Sequence, residues 1–338
     1  MKLYCCFSLY HVYITLLKNV ANKEKTDIII GTQMPNYEQI INKLDKVEYI
    51  NKIYCFDSIS YKNLTYKGIV DKFFNMKKKE IAYIDEKLSI NWDQYKDNIY
   101  IYNDFEILGW YFVDRKINYH LIEDGLNFFT YFNNYYNIEL KNYNLKSIKN
   151  KIKNLFNIGH RPYGISNYAI DIEVNKIDGI VINKDKVFEV PRKDLSDKLD
   201  KKQKKLLYSI FCKDDKLQMN CDSKNTILLC TQPLFYDGQL KDITTQGKVY
   251  SDIIKEYSNK GYHITIKPHP RDDYDYTDIC NKYECLYIDR YIPSEILNYD
   301  DTIRYGMALS ITTTAIESLE FVNERKYLGF EFLEGYKK

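Results

Sequence analysis

The sequence predicts an α/β protein built from two Rossmann-like domains facing across a cleft, and three observations predict it. Short apolar segments alternate with amphipathic ones from the first residues onward, the pattern of a parallel sheet with helices on its faces. The alternation fades near residue 127 and restarts after the charged stretch "PRKDLSDKLDKKQKKLL". A chain of 338 residues also exceeds what one hydrophobic core usually supports. The expected division is a first domain over 1–186, a second over 187–320, and a tail over 321–338 that packs back on the first.

Each element follows from its local pattern. "KLYCCF" is short, apolar and rich in strand formers, "SLYH" interrupts it, and "VYITLLKNVANK" carries apolar residues at helical spacing. "TDIIIGTQ" reads as a strand closed by Gly31, "NYEQIINKLDKV" as an amphipathic helix, "INKIYCFD" as a strand, and Lys67 to Lys87 as a long charged helix. "DNIYIYND" (strand), "EILGWYFVDRK" (helix) and "INYHLIEDG" (strand) complete the first series. Asn127 to Lys186, rich in Tyr, Asn and Lys and containing "NIGHRPYG", reads as a helical insertion with loops. The charged stretch that follows it is expected to be a polar linker. The second series is "NTILLCTQPL" (strand), "GKVYSDIIKEYSNKG" (helix), "YHITIKPHPRD" (strand into loop), "CLYIDRYIPSEILNY" (strand, loop, helix start) and "MALSITTTAIESLEF" (strand, loop, helix).

Composition removes several classes of function. Lys+Arg 49 against Asp+Glu 47 leaves a net charge of +2, without the basic excess of a nucleic-acid binder. Two local clusters, "NMKKKE" at Asn75 to Glu80 and "DKKQKK" at Asp200 to Lys205, are where an anionic membrane surface would be met. Such runs are more often solvated helix faces. The eight cysteines include no C-x-x-C pair and read as reduced, buried thiols of a cytoplasmic protein. The apolar opening is broken by Ser8 and His11 and is too short for a membrane span. Any membrane association is therefore peripheral, at the inner face. Oligomeric state stays open, a homodimer included.

In open α/β sheets, ligands bind beyond the carboxyl ends of the strands, and every candidate residue lies at such an end. In "YHLIEDGLNFF", Glu123 and Asp124 follow an apolar run, and strand alternation sends their side chains in opposite directions. Gly125 beside them allows a sharp turn and leaves room for a ligand. In "IKPHPRD", Pro268 and Pro270 bracket His269 and hold the imidazole in one presentation, which suits a general acid. Lys267 ends the same strand. In "LSITTTAIESL", Ser310, Thr312, Thr313 and Thr314 precede an expected helix, whose free N-terminal amides would favour an anion. Ordinary N-capping uses the same geometry. Glu295 in "YIPSEILNY" is placed to accept ribose hydroxyls or to occupy an ordinary first helical turn. Gln232 in "CTQPLF" is a positional candidate at a further strand end. Asp273 and Asp275 form a D-x-D triplet, but directly after His269 it reads as a helix-starting acidic cluster, so no metal is expected.

The set "EDG" at Glu123 to Gly125, "KPHP" at Lys267 to Pro270, "PSE" at Pro293 to Glu295 and "TTT" at Thr312 to Thr314 resembles the bacterial sialyltransferases of the lipooligosaccharide and capsule type, glycosyltransferase family 52. The resemblance extends to the opening "YCCFSLYHVY", which adds Ser8 and His11 to the substrate-binding candidates. It covers most of the chain apart from Asn127 to Lys186. It implies a GT-B fold, CMP-sialic acid as donor, a galactose-terminated glycan as acceptor, and inverting transfer with neither metal nor cofactor. It implies further that Asp124 is the base toward the acceptor hydroxyl and His269 the acid toward the departing phosphate. Glu295 would bind ribose, Lys267 would lie near the nucleotide, and Thr313 and Thr314 would bind phosphate. Family members usually carry Ser or a Ser-Thr mixture where this chain has three threonines. A CDP-glycerol or polyol-phosphate transferase, another nucleotide-sugar transferase, an epimerase or hydrolase of the same fold, and a non-enzymatic scaffold are the competing readings.

Overall fold

The computed structural model describes residues 1–65, 67–125, 163–180, 184–212 and 223–337. The chain divides into two compact units, Met1–Gln203 and Lys204–Lys338. Each is a parallel sheet with helices between its strands. "NIGHRPYG" lies outside the described residues except for Tyr163 and Gly164.

The first unit runs β1 (Leu3–Cys6), α1 (Leu9–Asn22), β2 (Thr26–Gly31), α2 (Tyr37–Leu44), β3 (Ile50–Phe56), α3 (Ile69–Leu88), β4 (Ile99–Ile101), α4 (Ile107–Arg115), β5 (Tyr119–Ile122), β6 (Ala169–Val174), β7 (Val187–Glu189) and α5 (Arg192–Asp197), and the next helix, α6 (Lys201–Phe211), carries the chain across the boundary into the second. Its strand order is β3-β2-β1-β4-β5-β6-β7. Central β1 and β2 are buried at every position, as expected of strands covered on both faces. Edge strand β3 is buried only at its ends. Leu108 and Phe112 of α4 pack with Leu3, Cys5, Ile99, Ile101 and Leu121 of the sheet in one apolar cluster.

Three expectations for this unit change. Helix α1 starts at Leu9 because Ser8 caps it, its Oγ accepting from the His11 N–H, so His11 belongs to the first helical turn rather than to an interruption. "AIDIEV" is strand β6, pairing parallel with β5 and β7, within what was expected to be a helical insertion. The charged stretch after residue 190 is two helices rather than a linker, and the boundary falls at 203/204 instead of 186/187. The physical reason is a buried ionic triad. Glu173 of β6 accepts from Lys18 Nζ of α1 and, at 2.5 Å, from Arg192 of α5, binding α5 to the first sheet. Burial alone would raise the Glu173 carboxyl, but the two cations hold it below its ordinary range.

The second unit runs β8 (Thr226–Cys230), α7 (Ile243–Asn259), β9 (His263–Lys267), α8 (Thr277–Tyr283), β10 (Leu286–Tyr287), β11 (Tyr305–Ser310) and β12 (Val322–Tyr327). Its strand order is β10-β9-β8-β11-β12. Helix α7 begins at Ile243, where Asp242 accepts from the Thr245 N–H at 2.6 Å. The tail expected to return to the first domain is part of this unit instead. β12 pairs with β11, Leu333 joins the core beside α7, and Tyr336 donates to Asp252 at 3.0 Å. The helices expected after "PSE" and "TTT" are short 3-10 turns, Ser294–Tyr299 and Thr314–Ser318.

Cys5, Cys6, Cys212 and Cys230 are buried and Cys280 and Cys285 partly so, but Cys55 is exposed, because β3 is an edge strand. Two lysines of the 75–80 cluster are held internally, Lys77 by Asp114 and Lys79 by the Thr65 carbonyl. Among the described residues, no helix is long and apolar enough to cross a membrane.

Candidate active site

Polar side chains gather at the carboxyl end of each sheet, where the strand order reverses: between β1 and β4 in the first, between β8 and β11 in the second. Such reversals open a crevice between neighbouring strand ends.

In the first unit, Cys5, Ile101 and Leu121 occupy one rung across β1, β4 and β5, and Asn103 and Asp124 follow two and three residues beyond it. The Phe7 N–H donates to His11 Nδ1 at 3.1 Å, which leaves the ring proton on Nε2. His11 Nε2 then donates to Asp124 Oδ1 at 2.6 Å. Asn103 Nδ2 reaches Asp124 Oδ2 at 3.3 Å. The His11 ring stacks on Tyr102, centroids 4.3 Å apart and planes 7° from parallel. The Asp124 side chain keeps 29% exposure, against 4% for His11, so the carboxylate meets solvent while its partner does not.

The structure separates the two carboxylates as alternation requires. Glu123 is 1% exposed and its Oε2 accepts from the Asn175 N–H at 2.8 Å, pinning β5 to the end of β6. It is not available to a ligand. His11 is likewise removed from the substrate-binding set, since both ring nitrogens are engaged internally, and Ser8 serves as the helix cap. Gly125 sits at φ +104°, and no atom of the described residues lies within 4 Å of an added Cβ. Its glycine answers a backbone conformation that L side chains avoid, rather than a close approach.

In the second unit, Lys267, Cys230 and Ser310 lie on one rung across β9, β8 and β11. The second residue beyond each is His269, Gln232 or Thr312. Gln232 Nε2 donates to Thr312 Oγ1 at 2.9 Å, and the Thr312 N–H donates to Gln232 Oε1 at 2.9 Å, a reciprocal clasp across the reversal of strand order. Ser310 is fully buried and accepts from the Thr313 N–H at 3.0 Å. Thr313 Oγ1 accepts from the Ala315 N–H at 3.3 Å. The expected anion site at a helix start therefore becomes a capped loop: the following turn is five residues of 3-10 helix, and Ser310 braces it from inside. Thr313 and Thr314 stay half-buried at the rim.

The His269 loop is held by its own backbone. Lys267, 5% exposed, donates through Nζ to the carbonyls of Pro268 at 3.0 Å and Arg290 at 3.2 Å. It is an internal brace rather than a free cation, and burial draws its amine down to about 8. Arg290 donates to the Asp272 carbonyl at 2.7 Å. The buried Asp272 carboxylate accepts from Thr231, from Gln246 at 2.7 Å and from Tyr276 at 2.8 Å, and burial raises it above the usual range. His269 Nδ1 accepts from the Arg271 N–H at 3.1 Å, which puts the neutral ring's proton on Nε2. Burial, then the charges of Arg271 and Lys267, push this imidazole down to about 4. Pro270 is exposed in the turn. Half-buried Glu295 has Ser294 Oγ at 3.4 Å, and its carboxyl is raised by burial against the pull of Lys267. Asp273 accepts from Tyr236 and Asp275 caps the Thr277 N–H, so the D-x-D carboxylates serve separate local bonds.

Asn103, Asp272 and Arg290 are the site residues that the sequence reading passed over. Asn103 and Arg290 follow strand ends in "IYIYND" and "LYIDR", so the rule that found His269 would have found them.

Two parallel α/β units, each with polar groups at the switch point of its own sheet, present the crevices in which open α/β sheets bind ligands. The model of glycosyltransferase family 52 matches residues 22–328, and the chain belongs to that family; it is a glycosyltransferase. Among solved structures it is similar to the GT-B domain of a sialyltransferase from Photobacterium damselae, with 16% identity, 96% of this chain and 90% of that chain covered, and a TM-score of 0.50. A longer structure of the Photobacterium damsela sialyltransferase matches with the same identity and score over 96% of this chain and 73% of that one. A UDP-GlcNAc 2-epimerase from Methanocaldococcus jannaschii matches at 11% identity, covering 99% and 91%, with a TM-score of 0.48. No curated protein matches the chain. The structural likeness establishes the fold as GT-B.

Proposed function

We propose that the protein is an inverting, metal-independent sialyltransferase that moves sialic acid from CMP-sialic acid to a galactose-terminated glycan of a capsular polysaccharide or lipooligosaccharide. The observation that carries the reading is Asp124, a solvent-reaching carboxylate fixed at the switch point of one sheet by His11 and Asn103. The motif set and the family membership support it. So does the name of the Photobacterium structures, sialyltransferases of the same fold.

Asp124 takes the proton of the acceptor hydroxyl, whose oxygen forms the new bond to the anomeric carbon. The bond from that carbon to the CMP phosphate breaks, and its electron pair leaves with phosphate. His269 assists the departure by donating from Nε2–H. A phosphate monoester holds its last proton with a pKa of about 6, so CMP leaves at neutral pH without needing a full proton. A neutral imidazole that donates a hydrogen bond, as a group drawn down to about 4 must, is sufficient. Thr313 and Thr314 contact the phosphate, and Glu295 the ribose.

Incubation with CMP-sialic acid and a panel of galactose-terminated acceptors, reading CMP release and product linkage with chelator present, tests the reading. Acceptor-dependent CMP release unaffected by chelator is expected. Turnover of CDP-glycerol but not CMP-sialic acid, or donor turnover indifferent to acceptor, would overturn it.

A further inference from the structure

We infer that His11 is the positioning residue of Asp124 and that Asp124 Oδ2, flanked by Asn103, is the oxygen that receives the acceptor's proton. The inference rests on the proposed role of Asp124 and adds to it an atom, an orientation and a tautomer.

His11 Nδ1 has one lone pair in the ring plane, and the Phe7 N–H occupies it at 3.1 Å. Phe7 lies between β1 and α1, so the donor is fixed by backbone, and Ser8 Oγ holds the His11 N–H at 3.2 Å. The ring is buried and stacked on Tyr102, which removes rotation as an alternative. Nε2 must therefore carry the hydrogen, and it points at Asp124 Oδ1 at 2.6 Å. Protonating the ring would bring an Nδ1–H against the Phe7 N–H. The geometry thus makes His11 Nε2 the donor and Asp124 Oδ1 the acceptor.

Of the two carboxylate oxygens, Oδ1 carries the short bond. Among the described residues, Oδ2 has only the long approach of the Asn103 amide, at 3.3 Å, and retains lone-pair capacity for an incoming hydroxyl. The acceptor O–H bond breaks with its proton passing to Oδ2, and its electron pair forms the glycosidic bond. Positioning of this kind is worth about 10²-fold per ångström of misplacement. It acts on the chemical step, because His11 touches no substrate.

The test uses the full chain with CMP-sialic acid and a galactose-terminated acceptor. His11→Phe keeps a planar ring against Tyr102 and removes the donor; kcat is expected to fall about 10- to 100-fold with the donor KM unchanged. His11→Gln, which restores an N–H toward Oδ1, recovers most of that loss. Asn103→Ala lies outside the core and lowers kcat about 3- to 10-fold, the scale of one modest hydrogen bond. Wild-type kcat in His11→Phe while Asp124→Asn is inactive overturns the inference and leaves the base assignment standing. Full activity in Asp124→Asn defeats the base assignment itself. A measurement independent of turnover decides the tautomer: ¹⁵N spectra of histidine-labelled protein should show His11 protonated at Nε2 and perturbed by Asp124→Asn. A proton on Nδ1, or no response to Asp124→Asn, overturns the inference whichever donor the enzyme uses and whether or not His11→Phe folds.

Discussion

The two sheet ends fix their polar side chains by different means. At the first, Asp124 is oriented by side chains from other strands and helices, His11 lying 113 residues away in sequence, and beneath it the support is ionic, Lys18–Glu173–Arg192. At the second, His269 and Lys267 are tied to backbone groups within their own and the next loop, and the support is a buried carboxylate with neutral donors around Asp272. A carboxylate that must accept a proton from a hydroxyl is left open to solvent on one side. A histidine that needs only to donate is kept neutral by burial.

The largest expected effect falls on the first sheet end. Asp124→Asn should lower kcat about 10²- to 10⁴-fold, the range of a positioned proton acceptor, with little change in donor KM; steady-state kinetics that show a KM effect alone would break the assignment. The second effect sharpens the contrast in support. Glu173→Gln leaves two buried cations without their anion and should cost about 3–5 kcal/mol. Asp272→Asn keeps an acceptor and the volume and should cost about 1–3 kcal/mol. Urea unfolding of the two variants measures the difference, and equal midpoints would erase the distinction between ionic and neutral support.

Smaller effects belong to the second sheet end. His269→Ala should lower kcat about 10- to 100-fold, the worth of a hydrogen bond to a charged oxygen of about 1.5–3 kcal/mol. A loss as large as that of Asp124→Asn would instead mean full proton transfer. The same residue should leave a mark on stability. Its folded value of about 4 lies below the unfolded value of about 6.5. The unfolded chain therefore binds more protons in that window, and stability falls as pH drops through it. Thermal melts between pH 7 and pH 4 should show a shallower acid decline in His269→Gln. Least of all, Gly125→Ala meets no atom of the described residues and should cost about 1 kcal/mol for its positive φ, visible as a small fall in melting temperature.

A local pattern does not say what lies opposite it. "AIDIEV" has strand alternation but sits in a region of weak signal, and only its pairing with β5 and β7 marks it as β6. The charged stretch after residue 190 looked like a linker because Arg192 reads as surface, whereas Glu173 draws it to 6% exposure. Ser310 and Lys267 are of the right type at the right strand end, but their side chains turn inward to brace the loops beside them.

By itself the sequence determined the α/β class, most strands of the two series, and the connections after strands in which Asp124, His269, Gln232, Glu295 and Thr312 to Thr314 appear. Apolar periodicity and proline placement are local properties, and strand ends follow from them. The tertiary structure decided which of those side chains face outward and what holds them. It set Glu123 inward and Asp124 outward, gave His11 to Asp124 rather than to a substrate, and clasped Gln232 to Thr312 across a reversal of strand order. These are contacts between residues 52 to 113 apart, and strand order, which brings them together, is not written in any one segment.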